Sequence, residues 1–175
     1  AIPLYAIHAH DKLDFHISEA GIFTALMVVA SGFSSFLAGK IGDRFGHKHA
    51  MVISFLAYLG ALIAALLAET LWHVYLIFIF MGIGKGGFIT SAMSLVYEFA
   101  GDNDKKIYFA LIDSLTAPFV LVAILLSGFF ISTGSIPPVL TVIGFILIAG
   151  ILALVFLTKE PRTLREMPIP REPQP

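Results

Sequence analysis

Two charged residues lie within long apolar stretches of this 175-residue chain. Lys85 is the one charged residue in the stretch 74–97, and Asp113 is the one in the stretch 107–131. A lysine at the centre of a membrane-spanning helix costs on the order of 2.5–3.5 kcal/mol, so Lys85 should face a water-filled cavity or an acidic partner. Lys85 would then bind an anionic group of a substrate, and Asp113 would act as a protonatable coupling carboxylate.

Each charge also has a structural interpretation. Lys85 could form a structural salt bridge or extend its stem to a membrane interface. Asp113, about 10 Å deep at 1.5 Å per residue, could pair with a basic residue near the surface. Four glycines, Gly82, Gly84, Gly86 and Gly87, surround Lys85. Gly82 and Gly86 form a close-packing G-x-x-x-G face, while Gly84 and Gly86 could loosen the helix beside a binding site.

The apolar stretches predict an all-α integral membrane protein. Each has at least 19 residues, enough at about 1.5 Å per residue to cross a hydrocarbon core of about 30 Å. Helices are expected because lipid cannot satisfy backbone N–H and C=O groups. The composition, 58% hydrophobic with a mean hydropathy of +0.91, lies outside the range of soluble domains. The predicted transmembrane helices cover residues 20–38, 50–68, 74–97, 107–131 and 136–158.

Basic residues predict the orientation of these five helices. Nine of the 11 Lys and Arg residues fall on one side of the zigzag, which the positive-inside rule makes cytoplasmic. We therefore expect residues 1–19 to hold the stump of a sixth helix and an extracytoplasmic loop. Residues 159–175, rich in proline and charge, are expected to form a disordered cytoplasmic tail. The nine basic residues are Lys40, Arg44, Lys48, Lys105, Lys106, Lys159, Arg162, Arg165 and Arg171.

Residues 39–49, the signature segment, form a short basic hairpin between the first two predicted helices. The segment resembles the G-x-x-x-D-R/K-x-G-R/K-R/K loop of the major facilitator superfamily, with His47 where a basic residue is usual. A generic hairpin with glycines and inward positive charge is the alternative. The matching positions are Gly39, Asp43, Arg44, Gly46 and Lys48.

A second pair of charges resembles another motif of the same superfamily. Glu98 is followed after six residues by Lys105, where sugar porters carry E-x6-R. The resemblance implies that Glu98 and Lys105 join Arg44 in a charge cluster that closes the cytoplasmic side. Lysine lacks the bidentate fork of arginine, which argues against the sugar branch. Ordinary interfacial charges are the alternative interpretation.

The resemblance implies a secondary transporter of the plasma membrane that works by alternating access. The proline-rich tail and the absent initiating methionine favour its C-terminal half, which would work with a missing N-terminal half in the lipid bilayer. The single intramembrane lysine favours anionic or amphipathic small solutes. An inert or partner-dependent membrane fragment is the alternative function.

Other classes of function lack the residues they need. Without cysteine there is no thiolate metal site or thiol nucleophile, and we expect no cofactor and no enzymatic activity. A histidine-dependent membrane oxidase would need paired histidines on one helical face, but these pairs fall on opposite sides of the membrane. No pattern indicates nucleic-acid binding. The histidines are His8, His10, His16, His47, His49 and His73.

Overall fold

The computed structural model describes residues 17–100, 104–132 and 136–158. Within them the chain forms five helices and no strand, each long and apolar enough to span a membrane, which confirms the predicted all-α bundle. The predicted stump and the predicted tail lie mainly outside the described residues. The helices are α1 (Ile17–Phe45), α2 (His47–Leu66), α3 (Leu71–Ala100), α4 (Lys105–Ser132) and α5 (Ile136–Leu157).

Most helices extend beyond the apolar stretches that predicted them. Helix α1 continues into the signature segment as far as Phe45, and α2 begins at His47. The expected loop is therefore reduced to Gly46, which has φ 94°. Only glycine adopts this left-handed region without a steric penalty, so Gly46 makes the sharp turn possible. Its N–H donates to the Gly42 carbonyl oxygen at 2.9 Å and closes the end of α1.

Helix α3 is the centre of the bundle and packs against both α1 and α2. In the first part of α3, Phe78 stacks on the Phe23 ring of α1, with ring centroids 5.3 Å apart. Phe23 is 1% exposed. Tyr75 meets the same ring edge-on at 5.0 Å. Apolar contact between α1 and α3 therefore fixes one end of this pair.

Small residues bring α1 and α3 into close contact in the middle of the bundle. A Cβ added at Gly82 would collide with the Met27 carbonyl oxygen, and one at Gly86 with that of Ser31. The Ser34 hydroxyl donates across the interface to the Ile83 carbonyl oxygen at 2.7 Å. The G-x-x-x-G face predicted from the sequence is thus a backbone-to-backbone packing surface.

The last two helices pack differently. Helix α5 lies against α2, where Leu140 is fully buried and Gly144 sits against Leu62. Helix α4 exposes its described side chains almost throughout, and its half-buried exceptions are Tyr108 and Phe109. A long apolar helix with so little cover has a face available for further contacts.

Candidate functional site

Three side chains meet where α1, α2 and α3 come together beside the signature segment. His47 Nε2 lies 3.9 Å from Asp43 Oδ1 and 4.0 Å from Glu98 Oε1. The His47 side chain is 8% exposed, that of Glu98 20%, and that of Asp43 82%. A buried imidazole therefore lies between a solvated carboxylate of α1 and a half-buried carboxylate of α3. We call Asp43, His47 and Glu98 the imidazole cluster.

The position of the imidazole depends on a glycine. A Cβ at Gly42 would overlap the His47 ring atoms Nδ1, Cε1 and Cγ. Within the described part of the chain His47 Nδ1 is buried and has no hydrogen-bond partner. The ring therefore lies directly on the Gly42 backbone, with its other nitrogen toward the two carboxylates. When protonated, this ring would attract both carboxylates and hold α1 and α3 together.

Lys48, within the signature segment, contacts the C-terminal end of α5. Its Nζ donates to the carbonyl oxygens of Val155 at 2.9 Å and Thr158 at 2.6 Å, at the end of α5. The last carbonyl groups of a helix lack intrahelical partners and carry the negative end of the helix dipole. A lysine ammonium satisfies both needs, so Lys48 anchors the C-terminus of α5.

The other predicted gating residues occupy separate positions. The Arg44 guanidinium is exposed and lies over the Phe45 ring, 5.2 Å from its centroid. Lys105 Nζ lies 5.1 Å above the ring of Tyr97, the residue before Glu98. The structure thus brings Glu98 to His47 within the imidazole cluster, while Arg44 and Lys105 each lie on an aromatic ring.

An apolar groove of about 740 Å³ runs between α3 and α4. Among the described residues that line it, Asp113 is the one charged side chain and Thr116 the one other polar side chain. The Thr116 hydroxyl donates to the Ile112 carbonyl oxygen of its own helix. The carboxylate of Asp113 is thus the one charged group on the groove wall. The lining residues are Phe88, Ile89, Ala92, Met93, Val96, Phe109, Ile112, Asp113, Thr116, Ala117, Val120, Leu121 and Ile124.

Lys85 lies on the same face of α3 as the groove. Residues four, seven and eleven positions along a helix return to nearly the same side, and from Lys85 these are Ile89, Ala92 and Val96, all on the groove wall. Lys85 is exposed. Within residues 17–100, 104–132 and 136–158 no salt bridge includes Lys85 or Asp113. Both intramembrane charges therefore belong to one side of the α3–α4 pair.

Two glycines predicted to line the pathway lie on other sides of α3. Gly84 is buried against α2, where an added Cβ would lie 2.9 Å from the nearest atoms of the Tyr58 ring. Gly86 is buried against α1. Both serve close helix packing in this structure. That these two glycines line a pathway stays a prediction; in this structure Lys85 lies on the side of α3 that faces the groove.

Comparison with known proteins agrees with the family resemblance of the signature segment. The family model of the Major Facilitator Superfamily matches residues 1–175. The chain belongs to the major facilitator superfamily. Membership in this family points to a transporter rather than an enzyme.

The chain is distantly similar to a known protein of this family. The uncharacterized MFS-type transporter YhjO of Bacillus subtilis (strain 168) is 22% identical over 113 residues. That alignment covers 65% of this chain but only 28% of YhjO. No solved structure matches the chain.

Two features of this major facilitator chain escaped the sequence analysis. The sequence shows His47 as a departure from the motif and as one of six histidines, but not that its ring occupies the centre of the imidazole cluster. The motif identified Lys48, but its partner at Thr158 lies more than a hundred residues further along the chain. Neither contact has a local sequence signal. The spacing of four residues between Asp43 and His47 is the one indication that the sequence offers.

Proposed function

We propose that this chain is the C-terminal half of a secondary transporter that moves a small solute by alternating access. The supporting observation is that Asp113 lines the apolar α3–α4 groove and that the exposed Lys85 lies on the side of α3 that faces it. Charges inside a membrane are costly and are tolerated where they face water, a partner or a substrate. The α3–α4 groove is therefore the proposed solute pathway, and the missing N-terminal half would cover its open side.

The proposed mechanism uses two regions, the groove within the membrane and the charged signature segment at the cytoplasmic surface. The solute binds in the groove, and two halves rock about it to expose it to either side of the membrane. Asp113 is the proposed coupling carboxylate for a proton. The signature segment, with Asp43, Arg44 and Gly46 as the gate, and Glu98 and Lys105 as its support, closes the cytoplasmic side.

The proposal includes the location of the protein. We place it in the plasma membrane with the signature segment and the C-terminus in the cytoplasm, because nine of the 11 basic residues fall on that side of the topology predicted from the sequence. Reaction of single introduced cysteines at positions 48 and 105 with an impermeant reagent tests this topology. Both must react from the cytoplasmic side, and reaction from opposite sides would refute it.

Substitution of Lys85 tests the proposed pathway. In the complete transporter, Lys85→Ala should reduce solute accumulation in proteoliposomes to background while the protein still inserts and purifies normally. Lys106→Ala is the matched control, since Lys106 is exposed at the start of α4 and does not line the groove. Unchanged accumulation with Lys85→Ala would remove this residue from the mechanism. An inert fragment would show no accumulation with or without the substitution.

A further inference from the structure

Asp113 on the wall of the α3–α4 groove and Lys85 on the groove-facing side of α3 together identify a class of solute. We propose that the groove binds an amphipathic zwitterion, with its amine at Asp113, its acidic group at Lys85 and its apolar middle against the groove walls. This inference rests on the proposed function, because it names the solute that the proposed pathway would carry.

The spacing of the two charges follows from one contact between α3 and α4. Consecutive helices joined by a short connection run antiparallel, and the rings of Tyr97 and Phe109 meet with centroids 5.6 Å apart. At about 1.5 Å per residue, Asp113 lies about 6 Å beyond that contact and Lys85 about 18 Å beyond it. The two backbone positions are thus about 12 Å apart along the groove.

This separation leaves both charges available to a solute. Two charged groups pair directly when their N and O atoms approach within about 4 Å. A flexible lysine side chain shortens the separation but does not close it, and no salt bridge between Lys85 and Asp113 occurs in the described structure. A solute with a positive and a negative end, held apart by an apolar chain, would satisfy both groups at once.

The walls between the two charges are apolar. Ile89 and Ala92 of α3 face Ala117 and Val120 of α4, with Phe88 on the same wall. Apolar pockets with a few placed polar groups are typical of small-molecule sites, where the polar groups fix the orientation of the ligand. Burial of an apolar chain on these walls would contribute about 25 cal/mol per Å². The middle of the solute is therefore expected to be hydrocarbon-like.

Solutes with one charge fit the groove less well. A lipophilic cation would pair with Asp113 but leave Lys85 without a counter-charge in a membrane-embedded site. An anion would pair with Lys85 and leave the carboxylate of Asp113 uncompensated. Leaving one member of such a pair unmatched costs more than a missing neutral hydrogen bond. Charge complementarity thus favours the zwitterion over either alternative.

Three related probes test the inference with the complete transporter purified in detergent. They are 8-aminooctanoate, its methyl ester, which keeps only the amine charge, and its N-acetyl derivative, which keeps only the acid charge. Titration calorimetry should give the zwitterion a Kd lower by about 10- to 100-fold than either singly charged probe, the range of one charge-assisted hydrogen bond.

Two variants assign the charges to their partners. Asp113→Asn should weaken binding of 8-aminooctanoate and of its ester but leave the N-acetyl probe unchanged. Lys85→Gln should weaken binding of 8-aminooctanoate and of the N-acetyl probe but leave the ester unchanged. Lys106→Gln, at an exposed lysine off the groove, should affect none of the probes.

Failure of this inference is distinguishable from failure of the proposed function. Equal affinity for the three probes, binding of none of them, or equal loss of all three in both variants would overturn the zwitterion assignment. Alternating accessibility of the groove, measured separately with Ala92→Cys, would still support a transporter in each case. A groove that stays open to one side only would overturn the proposed function together with this inference.

Discussion

Lys48 Nζ donates a hydrogen bond to the Thr158 carbonyl oxygen at 2.6 Å, which ties the signature segment to the end of α5. A second bond to the Val155 carbonyl oxygen, at 2.9 Å, makes this a two-point attachment. A side chain that matches the family motif therefore also stabilises the last described helix. Movement of the signature segment during a transport cycle would act directly on that helix.

Replacing Lys48 should loosen α5. In the complete transporter, Lys48→Met keeps the apolar stem but removes both donors, at a cost of about 1–2 kcal/mol. A lower thermal unfolding temperature and faster amide exchange in residues 150–158 would show the loss. Lys40→Met is the matched control, because Lys40 is exposed and lies over the Phe36 ring. Equal effects of the two substitutions would contradict the anchoring role.

His47 should matter more than its neighbour His49. Because the His47 ring lies between Asp43 and Glu98, His47→Ala leaves space on Gly42 and removes a partner from the half-buried Glu98. The expected loss of stability is about 1–3 kcal/mol. His49→Ala, at an exposed position, should change stability by no more than about 0.5 kcal/mol.

Thermal unfolding of the two histidine variants in the same detergent provides the comparison. His47→Gln serves as a second variant, since it keeps a polar side chain of similar length but cannot become cationic. Substitution to Gln should restore part of the packing without restoring attraction to the two carboxylates. If His47 and His49 variants unfold at the same temperature, the imidazole cluster does not stabilise the bundle.

Gly86→Ala should separate α1 from α3. The added Cβ would collide with the Ser31 carbonyl oxygen, which is backbone and cannot rotate away, so overpacking of about 1–3 kcal/mol is expected. Gly32→Ala is the control, because a Cβ there meets nothing within 4 Å. Yield and unfolding temperature should fall for Gly86→Ala alone. Loss of transport with full stability would instead favour the pathway role predicted from the sequence.

The helices could be predicted from the sequence because the bilayer imposes a simple rule. Apolar stretches of sufficient length must form spanning helices, and five such stretches give the five helices of the structure. Local hydropathy was less informative about where helices end. Backbone hydrogen bonding continues past the hydrocarbon region, so α1 includes most of the segment that was expected to form a loop.

The site was harder to predict because its contacts join distant parts of the chain. The sequence marks Lys85 and Asp113 as unusual because each is a charge within an apolar stretch. The structure is needed to show that Lys85 lies on the side of α3 that faces the groove. The signature glycines show the same limit. The left-handed backbone at position 46 requires a glycine, and Gly42 makes room for the His47 ring. A Cβ at Gly39, in contrast, would meet nothing within 4 Å.

The accessibility of the groove tests the central claim most directly. The described chain has no cysteine, so Ala92→Cys introduces a unique thiol into the groove, provided the other half is also made cysteine-free. An impermeant maleimide should label this thiol from either side of sealed vesicles, and conditions that raise labelling from one side should lower it from the other. Ala61→Cys, fully buried in the core, should resist labelling. Labelling of Ala92→Cys from one side only, under all conditions, would contradict alternating access through this groove.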